Sequence, residues 1–413
     1  MRKKVLVKGP LMSMSGYGVQ ARFALNALKS REDILDIYAI NIPWGSTGFL
    51  VEDTPEKRWL DFLFNKTIMH IKSGGSFDAS LQVTIPGEFE KIAPYNIGYT
   101  AGAETNIVSG EWLQKINLMD KIITTSEHTK AGILNSVYEV ANKETGERVG
   151  EIKAETPIEA VNYPVRQIEP EEIDIEFPTP FNFLVVAQWC PRKNLESTIA
   201  WFIEEFKDSQ DVGLVLKINQ VKNSLMDKDY TRQRLQALLT SLGERKCSVY
   251  LLHGAMSDGE MTSLYQHKQV KGLITLSHGE GFGLPVFEAA YNGLPIIAPS
   301  WSGHVDFLYA PIKTKLKPHF TVVLHQVQQI QPEAIYPGIL LPESQWCYPQ
   351  KNSYRKALRQ FLSNWGGAKR KATTLRDYIL KNWSQEEINE QFVAATGIEG
   401  LGQDAEQEVL VFD

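Results

Sequence analysis

The stretch LITLSHGEGFGLPVFEAAYNGLPIIA, residues 273–298, decides the fold of this chain. Its apolar start ends at Ser277 and predicts a buried strand, and the three glycines that follow predict a tight turn. Pro285 suits the first turn of a helix, because its missing N–H has no partner to lose there. A second apolar run follows the helix. This order predicts a parallel α/β sheet, with the free N–H groups of the helix start offered to an anion.

Two alternating strand–helix series predict two domains. At 413 residues the chain exceeds the size that one hydrophobic core usually reaches. The first series occupies residues 1–166 and the second residues 181–382, and the acidic, proline-bearing stretch 167–180 between them is typical of a linker. We therefore predict an α/β protein with two Rossmann-like, doubly wound sheets, which bind their ligand in the cleft between them.

The other segments predict peripheral structure. The polar stretch 141–157 is expected to form a surface hairpin. A helix over 383–397 is predicted to cross back to the N-terminal domain, and a flexible acidic tail is predicted over 398–413. Segment 351–382 holds nine Lys or Arg residues against one acid. These cations are expected on the solvent-exposed face of an amphipathic helix. The alternative is that they bind DNA or an anionic surface.

The composition excludes several classes of protein. The three cysteines lie far apart and fit neither a disulfide framework nor a zinc finger. The apolar run at the N-terminus is too short for a signal peptide, and no stretch is long enough to span a bilayer, so a cytoplasmic protein is expected. The histidines lack metal-ligand spacing, and the D-x-D at Asp227–Asp229 is expected to cap a helix. No metal site is predicted.

Two carboxylates flank the glycine turn. Glu280 and Glu288 are separated by seven residues, and the chain reversal at the glycines can bring both towards one pocket. A carboxylate accepts two hydrogen bonds side by side, which suits the vicinal hydroxyls of a ribose or a hexose. Together with the helix start, the pair predicts a site for a ligand that carries both phosphate and sugar hydroxyls.

These residues resemble the E-x7-E signature of retaining GT-B glycosyltransferases, in particular the family 4-like group (glycosyl transferases group 1). The match continues through Gly293 and Pro295 to the segment WSGHVDFL, residues 301–308. It is strong over 183–310 and weaker over 1–165. The resemblance implies a GT-B fold, in which two Rossmann-like domains face each other across a cleft, with the acceptor side in the N-terminal domain and the nucleotide-sugar site in the C-terminal domain.

The resemblance also implies roles for the residues of the glycine turn. Glu288 matches the glutamate that binds the donor ribose, and Glu280 matches the one that lies beside the transferred sugar. The turn that follows Glu280 would hold sugar hydroxyls and phosphate through its backbone; its residues are Gly281, Phe282, Gly283 and Leu284.

A second segment, VVAQWCPRKNLE (residues 185–196), resembles the family loop whose arginine and lysine neutralise the donor diphosphate. Lys193 matches the lysine. Gln188 stands where the family usually has the arginine, and Arg192 is the neighbouring guanidinium that can substitute for it.

Two N-terminal features complete the implied site. The Gly16–Ala21 motif, G-x-G-x-x-A, begins too far beyond its strand for a dinucleotide-binding turn, which disfavours a dehydrogenase. It looks like the family's glycine-rich loop, with Gly18 as the residue expected to face the ligand. Glu104 matches an acidic position on the acceptor side, where it orients the acceptor or acts as a general base.

The resemblance implies transfer of a sugar from a nucleoside-diphosphate-sugar, a donor substrate rather than a cofactor, with retention of configuration and without a metal. The leaving diphosphate would itself take the acceptor proton. Two alternatives stay open: a DNA-modifying glycosyltransferase that acts on a hydroxymethylated base, and a non-catalytic nucleotide-sugar-binding protein. The donor, the acceptor and the oligomeric state are not predicted.

Overall fold

The computed structural model describes residues 2–142 and 144–401. The N-terminal domain is built on a six-stranded parallel sheet with the order β2-β1-β3-β4-β5-β8, and β6 and β7 form a separate antiparallel hairpin. Its strands are β1 (Lys3–Gly9), β2 (Leu35–Asn41), β3 (Ala79–Val83), β4 (Tyr95–Thr100), β5 (Lys121–Thr124), β6 (Tyr138–Ala141), β7 (Arg148–Ile152) and β8 (Ile158–Ala160). Its helices are α1 (Gly16–Lys29), α2 (Pro55–Lys72), α3 (Gly110–Ile116) and α4 (Glu127–Leu134).

The C-terminal domain repeats this plan with the strand order β11-β10-β9-β12-β13-β16, again all parallel. Its strands are β9 (Phe181–Gln188), β10 (Val212–Asn219), β11 (Ser248–Leu252), β12 (Val270–Ile274), β13 (Ile296–Pro299), β14 (Tyr309–Ile312), β15 (Lys315–Pro318), β16 (Thr321–Val323), β17 (His325–Gln329) and β18 (Gln345–Pro349). The helices that follow the linker are α5 (Leu195–Phe206), α6 (Leu225–Ser241), α7 (Asp258–Gln266), α8 (Leu284–Tyr291), α9 (Val305–Leu308), α10 (Lys351–Ser363), α11 (Trp365–Asn382) and α12 (Gln385–Thr396).

The two parallel sheets confirm the α/β prediction. Strand β9 reads FNFLVVAQ and is almost wholly apolar where it runs between β10 and β12, as expected for a strand with helices on both faces. Strand β3 and helix α2 were not predicted. Strand β3 lies between β1 and β4 and is entirely buried, but it is short and contains Ser80 and Gln82, so its apolar pattern is weak.

Helix α12 packs on the N-terminal domain, although it follows the C-terminal domain in the chain. The ring of Phe392 is fully buried, with its centroid 5.1 Å from that of Phe23 and 4.9 Å from that of Tyr99. Beyond α12, Ile398–Gly400 forms a 3-10 helix in which Ile398 is buried, so the chain is ordered where the tail was expected to begin. The rest of that predicted tail, residues 402–413, lies outside the described residues.

The basic segment is largely occupied by contacts within the domain. On α10, Lys351 pairs with Glu204 of α5 at 2.7 Å, and Arg355 and Arg359 both pair with Glu205 at 2.9 and 2.6 Å. The opposite face of α10 is apolar and buried. These three cations therefore hold α10 against α5, which weakens the case for a DNA-binding surface there.

The D-x-D motif lies in the first turn of α6 rather than at its cap. Ser224 is the N-cap, and its side chain accepts a hydrogen bond from the Asp227 N–H. Asp227 itself accepts hydrogen bonds from the backbone N–H groups of residues 220–222. Burial opposes ionisation of this carboxyl, but these hydrogen bonds and His253 outweigh it and keep the Asp227 pKa low.

Among residues 2–142 and 144–401, no helix combines the length and apolar content needed to cross a bilayer.

Replacing Phe392 tests the attachment of α12. We expect Phe392→Ala to lower the free energy of unfolding of the N-terminal domain by about 3–5 kcal/mol, because it removes a fully buried ring and leaves a cavity. Glu390→Ala, at an exposed position on the same helix, is the control and should change it by about 0.5 kcal/mol or less. Chemical denaturation measures both, and equal effects of the two variants would contradict the packing of α12.

Candidate active site

A cavity of about 470 Å³ lies between the two domains. The N-terminal domain contributes the start of α1 and the loop that follows β4, and the C-terminal domain contributes the ends of β9 and β10 and the glycine turn. It is therefore placed at the carboxyl ends of the strands, where ligands bind in doubly wound sheets. Its lining includes these residues that the sequence singled out: Glu104, Gln188, Arg192, Lys193, Glu280, Gly281, Phe282, Gly283 and Leu284.

The glycine turn touches the opposite domain directly. A Cβ atom on Gly279 would lie 2.0 Å from the carbonyl oxygen of Glu104, and one on Gly281 would lie 2.9 Å from that of Ala101. Gly283 has a φ of +95° and is the N-cap of α8, a conformation that favours glycine. The glycines are thus needed for the approach of the two domains as well as for access to a ligand.

Glu280 is the centre of the charge network in the cavity. Only 7% of the residue is exposed, and its two carboxylate oxygens are held by two cations. Lys193 Nζ lies 2.5 Å from Oε1, and a terminal nitrogen of Arg192 lies 3.1 Å from Oε2. Both cations belong to the Pro191–Lys193 turn that follows β9, and Asn194, with φ at +50°, starts α5 directly after it.

These cations determine the ionisation of Glu280. Burial alone would raise the pKa of this carboxyl, but the charges of Lys193 and Arg192 outweigh that effect and lower the pKa to about 2. Glu280 is therefore a carboxylate at neutral pH. It can accept hydrogen bonds from hydroxyl groups, and it cannot serve as a proton donor.

Arg192 joins the two domains. Its guanidinium binds Glu280, donates to the carbonyl oxygen of Gly279 at 2.7 Å and lies 3.1 Å from Glu104 of the N-terminal domain. Burial lowers the pKa of Arg192, but Glu104 and Glu280 raise it above its usual value. These contacts use three of the five N–H donors of the guanidinium, so the role of Arg192 as a substitute for the phosphate-binding arginine stays a prediction.

Other contacts between the domains surround this ion pair. Ser126, the N-cap of α4, donates to the carbonyl oxygen of Gly281 at 2.6 Å. The start of β18 reaches the N-terminal domain, where the N–H of Asn106 donates to the carbonyl oxygen of Gln345 at 3.1 Å. The two domains therefore contact each other directly beside the cavity.

Glu288 lies next to the cavity rather than in its lining. Its carboxylate accepts hydrogen bonds from Arg166 at 3.0 Å and from Tyr265 at 2.9 Å. The side chain is 20% exposed. Arg166 is the last residue before the linker. Nothing in the sequence marks it as a site residue, because it belongs to no motif.

The glycine-rich loop presents Gly16, not Gly18, to the cavity. Gly18 is buried, its N–H donates to the N-cap side chain of Ser15, and a Cβ atom there would lie 1.8 Å from the carbonyl oxygen of Ser13. Gly16 lines the cavity and has open space around it. The expectation that Gly18 faces the ligand is therefore wrong: its glycine is required where α1 packs on the preceding loop.

Two further residues of the turn and loop have structural contacts. The ring of Phe282 packs in the core, with its centroid 4.9 Å from that of Tyr163, so only its backbone is available to a ligand. Gln188 donates to the carbonyl oxygen of Gln220 at 2.7 Å and brings no charge to the cavity. The aromatic pair of Tyr17 and Trp44 was not predicted from the sequence. It lines the N-terminal side of the cavity, with ring centroids 4.3 Å apart.

Adding a methyl group at Gly279 tests the contact of the glycine turn with the backbone of Glu104 in the other domain. Gly279→Ala should lower the free energy of unfolding by about 1–3 kcal/mol, because the new Cβ atom overlaps the backbone of Glu104. Gly16→Ala, a cleft glycine with open space around it, is the control and should change stability by about 1 kcal/mol or less. Thermal unfolding compares the two variants. An unfolding temperature of Gly279→Ala equal to that of the wild type would contradict this contact.

The pH dependence of stability tests the Glu280 network. Because the folded-state pKa of Glu280 is lowered to about 2, its ion pairs stabilise the protein above the unfolded-state pKa and lose this effect as the pH falls towards 2. Glu280→Gln should therefore be less stable than the wild type at pH 7, by about 2 kcal/mol, and the difference should shrink below about pH 4.5. Denaturation at several pH values measures it. A difference that is constant with pH would contradict the assignment.

The comparisons with known proteins agree with this geometry. A family model described as "Family 4 Glycosyltransferase in conflict systems" matches residues 225–391, less than half of the chain. The serotype-specific mannosyltransferase WbdA of Escherichia coli is 33% identical over 118 residues, which are 28% of this chain and only 13% of that protein. The chain therefore matches a small part of this curated relative.

Solved structures match over nearly the whole chain. The sucrose-phosphate synthase of Thermosynechococcus elongatus superposes with a TM-score of 0.61 at 14% identity, over 95% of this chain and 98% of that one. A UDP-forming trehalose-phosphate synthase of Burkholderia xenovorans gives a TM-score of 0.57 at 10% identity, over 96% and 99%. At these identities the likeness shows the fold. The chain has the GT-B fold and is similar in sequence to family 4 glycosyltransferases, as its E-x7-E segment predicts.

Proposed function

We propose that this protein is a retaining glycosyltransferase, which moves a sugar from a nucleoside-diphosphate-sugar to a hydroxyl group of an acceptor. The observation that carries the proposal is the pairing of Lys193 and Glu280 in the cavity, directly beside the start of α8. This arrangement combines a cation for phosphate, a carboxylate for sugar hydroxyls and a helix N-terminus in one cavity.

The diphosphate of the donor fits between Lys193 and the start of α8. Helix α8 begins at Leu284, and no side chain caps it, because its N-cap is Gly283. Pro285 has no N–H and the Val286 N–H donates to the carbonyl oxygen of Gly283, so the Leu284 N–H and the helix dipole are what α8 offers to an anion. Lys193 uses one of its three donors on Glu280, which leaves two for phosphate oxygens.

The reaction follows from where negative charge develops. When the bond between the sugar and the diphosphate breaks, charge grows on the leaving diphosphate, and Lys193 and the α8 N-terminus stabilise it more strongly in the transition state than in the bound donor. The acceptor hydroxyl attacks the anomeric carbon on the same face from which the diphosphate departs, and the diphosphate takes the proton of that hydroxyl. Retention follows from this same-face exchange, and no protein nucleophile is needed.

Glu280 and Glu104 position the two substrates. Glu280 is ionised, so it accepts hydrogen bonds from hydroxyls of the transferred sugar and at the same time orients Lys193. Glu104 faces the cavity from the N-terminal domain, and Arg192 fixes its carboxylate. In this position it suits an acceptor hydroxyl, which would enter past Tyr17 and Trp44.

The names of the similar proteins support a nucleotide-sugar donor. The curated relative is a mannosyltransferase, and one of the matching structures is a UDP-forming synthase. Both names describe sugar transfer, and the second names a nucleoside diphosphate as a product. Neither identifies the donor or the acceptor of this chain.

Turnover measurements test the proposal. We expect release of a nucleoside diphosphate from one member of a panel of UDP-, GDP-, ADP- and dTDP-sugars, with sugars and alcohols as acceptors. Lys193→Ala should reduce kcat/KM about 100- to 1,000-fold, because charge on the leaving group is no longer stabilised. Lys356→Ala, an exposed lysine on α10, is the control and should leave it unchanged.

Two results would contradict the proposal. Donor binding without turnover for any acceptor would indicate a nucleotide-sugar-binding protein instead. An inverted anomeric configuration in the product, read by proton NMR, would contradict the retaining mechanism.

A further inference from the structure

Arg166 connects the linker to the donor side of the C-terminal domain. It is the last residue before the 167–180 linker, and its guanidinium lies between α7 and α8. One terminal nitrogen lies 2.8 Å from Asp258 at the start of α7, and the other lies 3.0 Å from Oε1 of Glu288 on α8. A residue that joins the two domains is thus ion-paired with the glutamate of the E-x7-E motif.

The linker itself is fastened to α7 five residues after Arg166. The N–H of Glu171 donates to the carbonyl oxygen of Gly259, and the Ser257 hydroxyl donates to the Glu171 carboxylate at 2.7 Å. A Cβ atom on Gly259 would lie 2.5 Å from the Glu171 side chain, so the contact needs a glycine. Arg166 is held by this anchoring and by Asp258, independently of Glu288.

The contacts of Glu288 leave part of its carboxylate open. Arg166 donates to Oε1, and the Tyr265 hydroxyl donates to Oε2 at 2.9 Å. Each carboxylate oxygen accepts two hydrogen bonds, so one position remains on each. A carboxylate with one free position on each oxygen can accept hydrogen bonds from the two vicinal hydroxyls of a ribose.

Glu288 lies on the face of α8 that reaches the cavity. Glu288 is one helical turn after Leu284, which lines the cavity, and residues four apart share a helix face. Burial raises the pKa of Glu288, and Arg166 and Tyr265 oppose that rise. Without Arg166 the carboxyl would hold a proton more readily, and a protonated oxygen is a poorer acceptor for a ribose hydroxyl.

We propose that Arg166 is a positioning residue for the donor, which acts through Glu288 and holds its carboxylate with one edge turned to the ribose hydroxyls of a nucleoside diphosphate. This rests on the proposed function and adds to it a residue outside the E-x7-E segment. It also makes the ribose contact dependent on the linker, and so on the relative position of the domains.

Calorimetric titration with two probes tests this role. UDP, GDP and ADP carry both ribose and diphosphate, whereas inorganic pyrophosphate carries the diphosphate alone. Arg166→Ala should weaken the binding of the nucleoside diphosphate that the wild type prefers about 10-fold or more, and pyrophosphate binding should stay within about twofold. Arg166→Lys, which keeps a point charge, should restore part of the loss.

Asp258→Asn is the matched control, because it removes the other ion pair of Arg166 and keeps the contact with Glu288. If Arg166 had only a structural role, Arg166→Ala and Asp258→Asn would change the affinity for the nucleoside diphosphate and for pyrophosphate to the same extent. The proposal predicts nearly unchanged nucleotide binding for Asp258→Asn.

The outcomes separate this inference from the proposed function. A wild type that binds neither these three nucleotides nor dTDP would overturn both, and one that binds only dTDP, whose sugar lacks the 2′-hydroxyl, would overturn the inference alone. Nucleotide binding that is equal or tighter in Arg166→Ala would overturn the inference alone, since Arg166 would then compete with the ribose. Equal loss of nucleotide and pyrophosphate binding would also overturn it, because the whole site would be disturbed.

Discussion

The two cations on the buried Glu280 carboxylate are the interaction on which the cleft depends. Lys193 and Arg192 keep this group ionised in a place where burial alone would protonate it. Arg192 also reaches Glu104 across the domain boundary, so one guanidinium connects both walls of the cavity. Removing either cation would leave a buried charge without its full compensation, which costs several kcal/mol in proteins. The charge network proposed for catalysis therefore also contributes a contact between the domains.

The glycine turn has a similar double role. Its residues have to approach a ligand closely, and they also have to approach the backbone of Ala101 and Glu104 in the other domain. No side chain fits between these two backbones. Gly279 and Gly281 thus connect the local strand–turn–helix sequence to the packing of the two domains.

Much of the fold could be predicted from the sequence, because apolar runs and glycine turns are local signals. The strand–turn–helix around Glu280 and the cation at Lys193 follow from residues that are close in the chain. The partners of Arg192 and Glu288 could not be predicted, since Glu104 and Arg166 lie far from them in sequence. Spacing also could not tell Gly16 from Gly18, because the difference is set by the packing of α1 on Ser13.

The most direct test of a nucleotide-sugar site in this cleft is the unfolding temperature of the protein in the presence of UDP-, GDP-, ADP- and dTDP-sugars. A donor present at about 100 times its dissociation constant stabilises the folded protein by roughly 2.7 kcal/mol, which is a clear shift. We predict such a shift for one of the donors, and we predict that Lys193→Ala reduces it. If none of the donors raised the unfolding temperature, the central claim would be contradicted, and only the GT-B fold would remain.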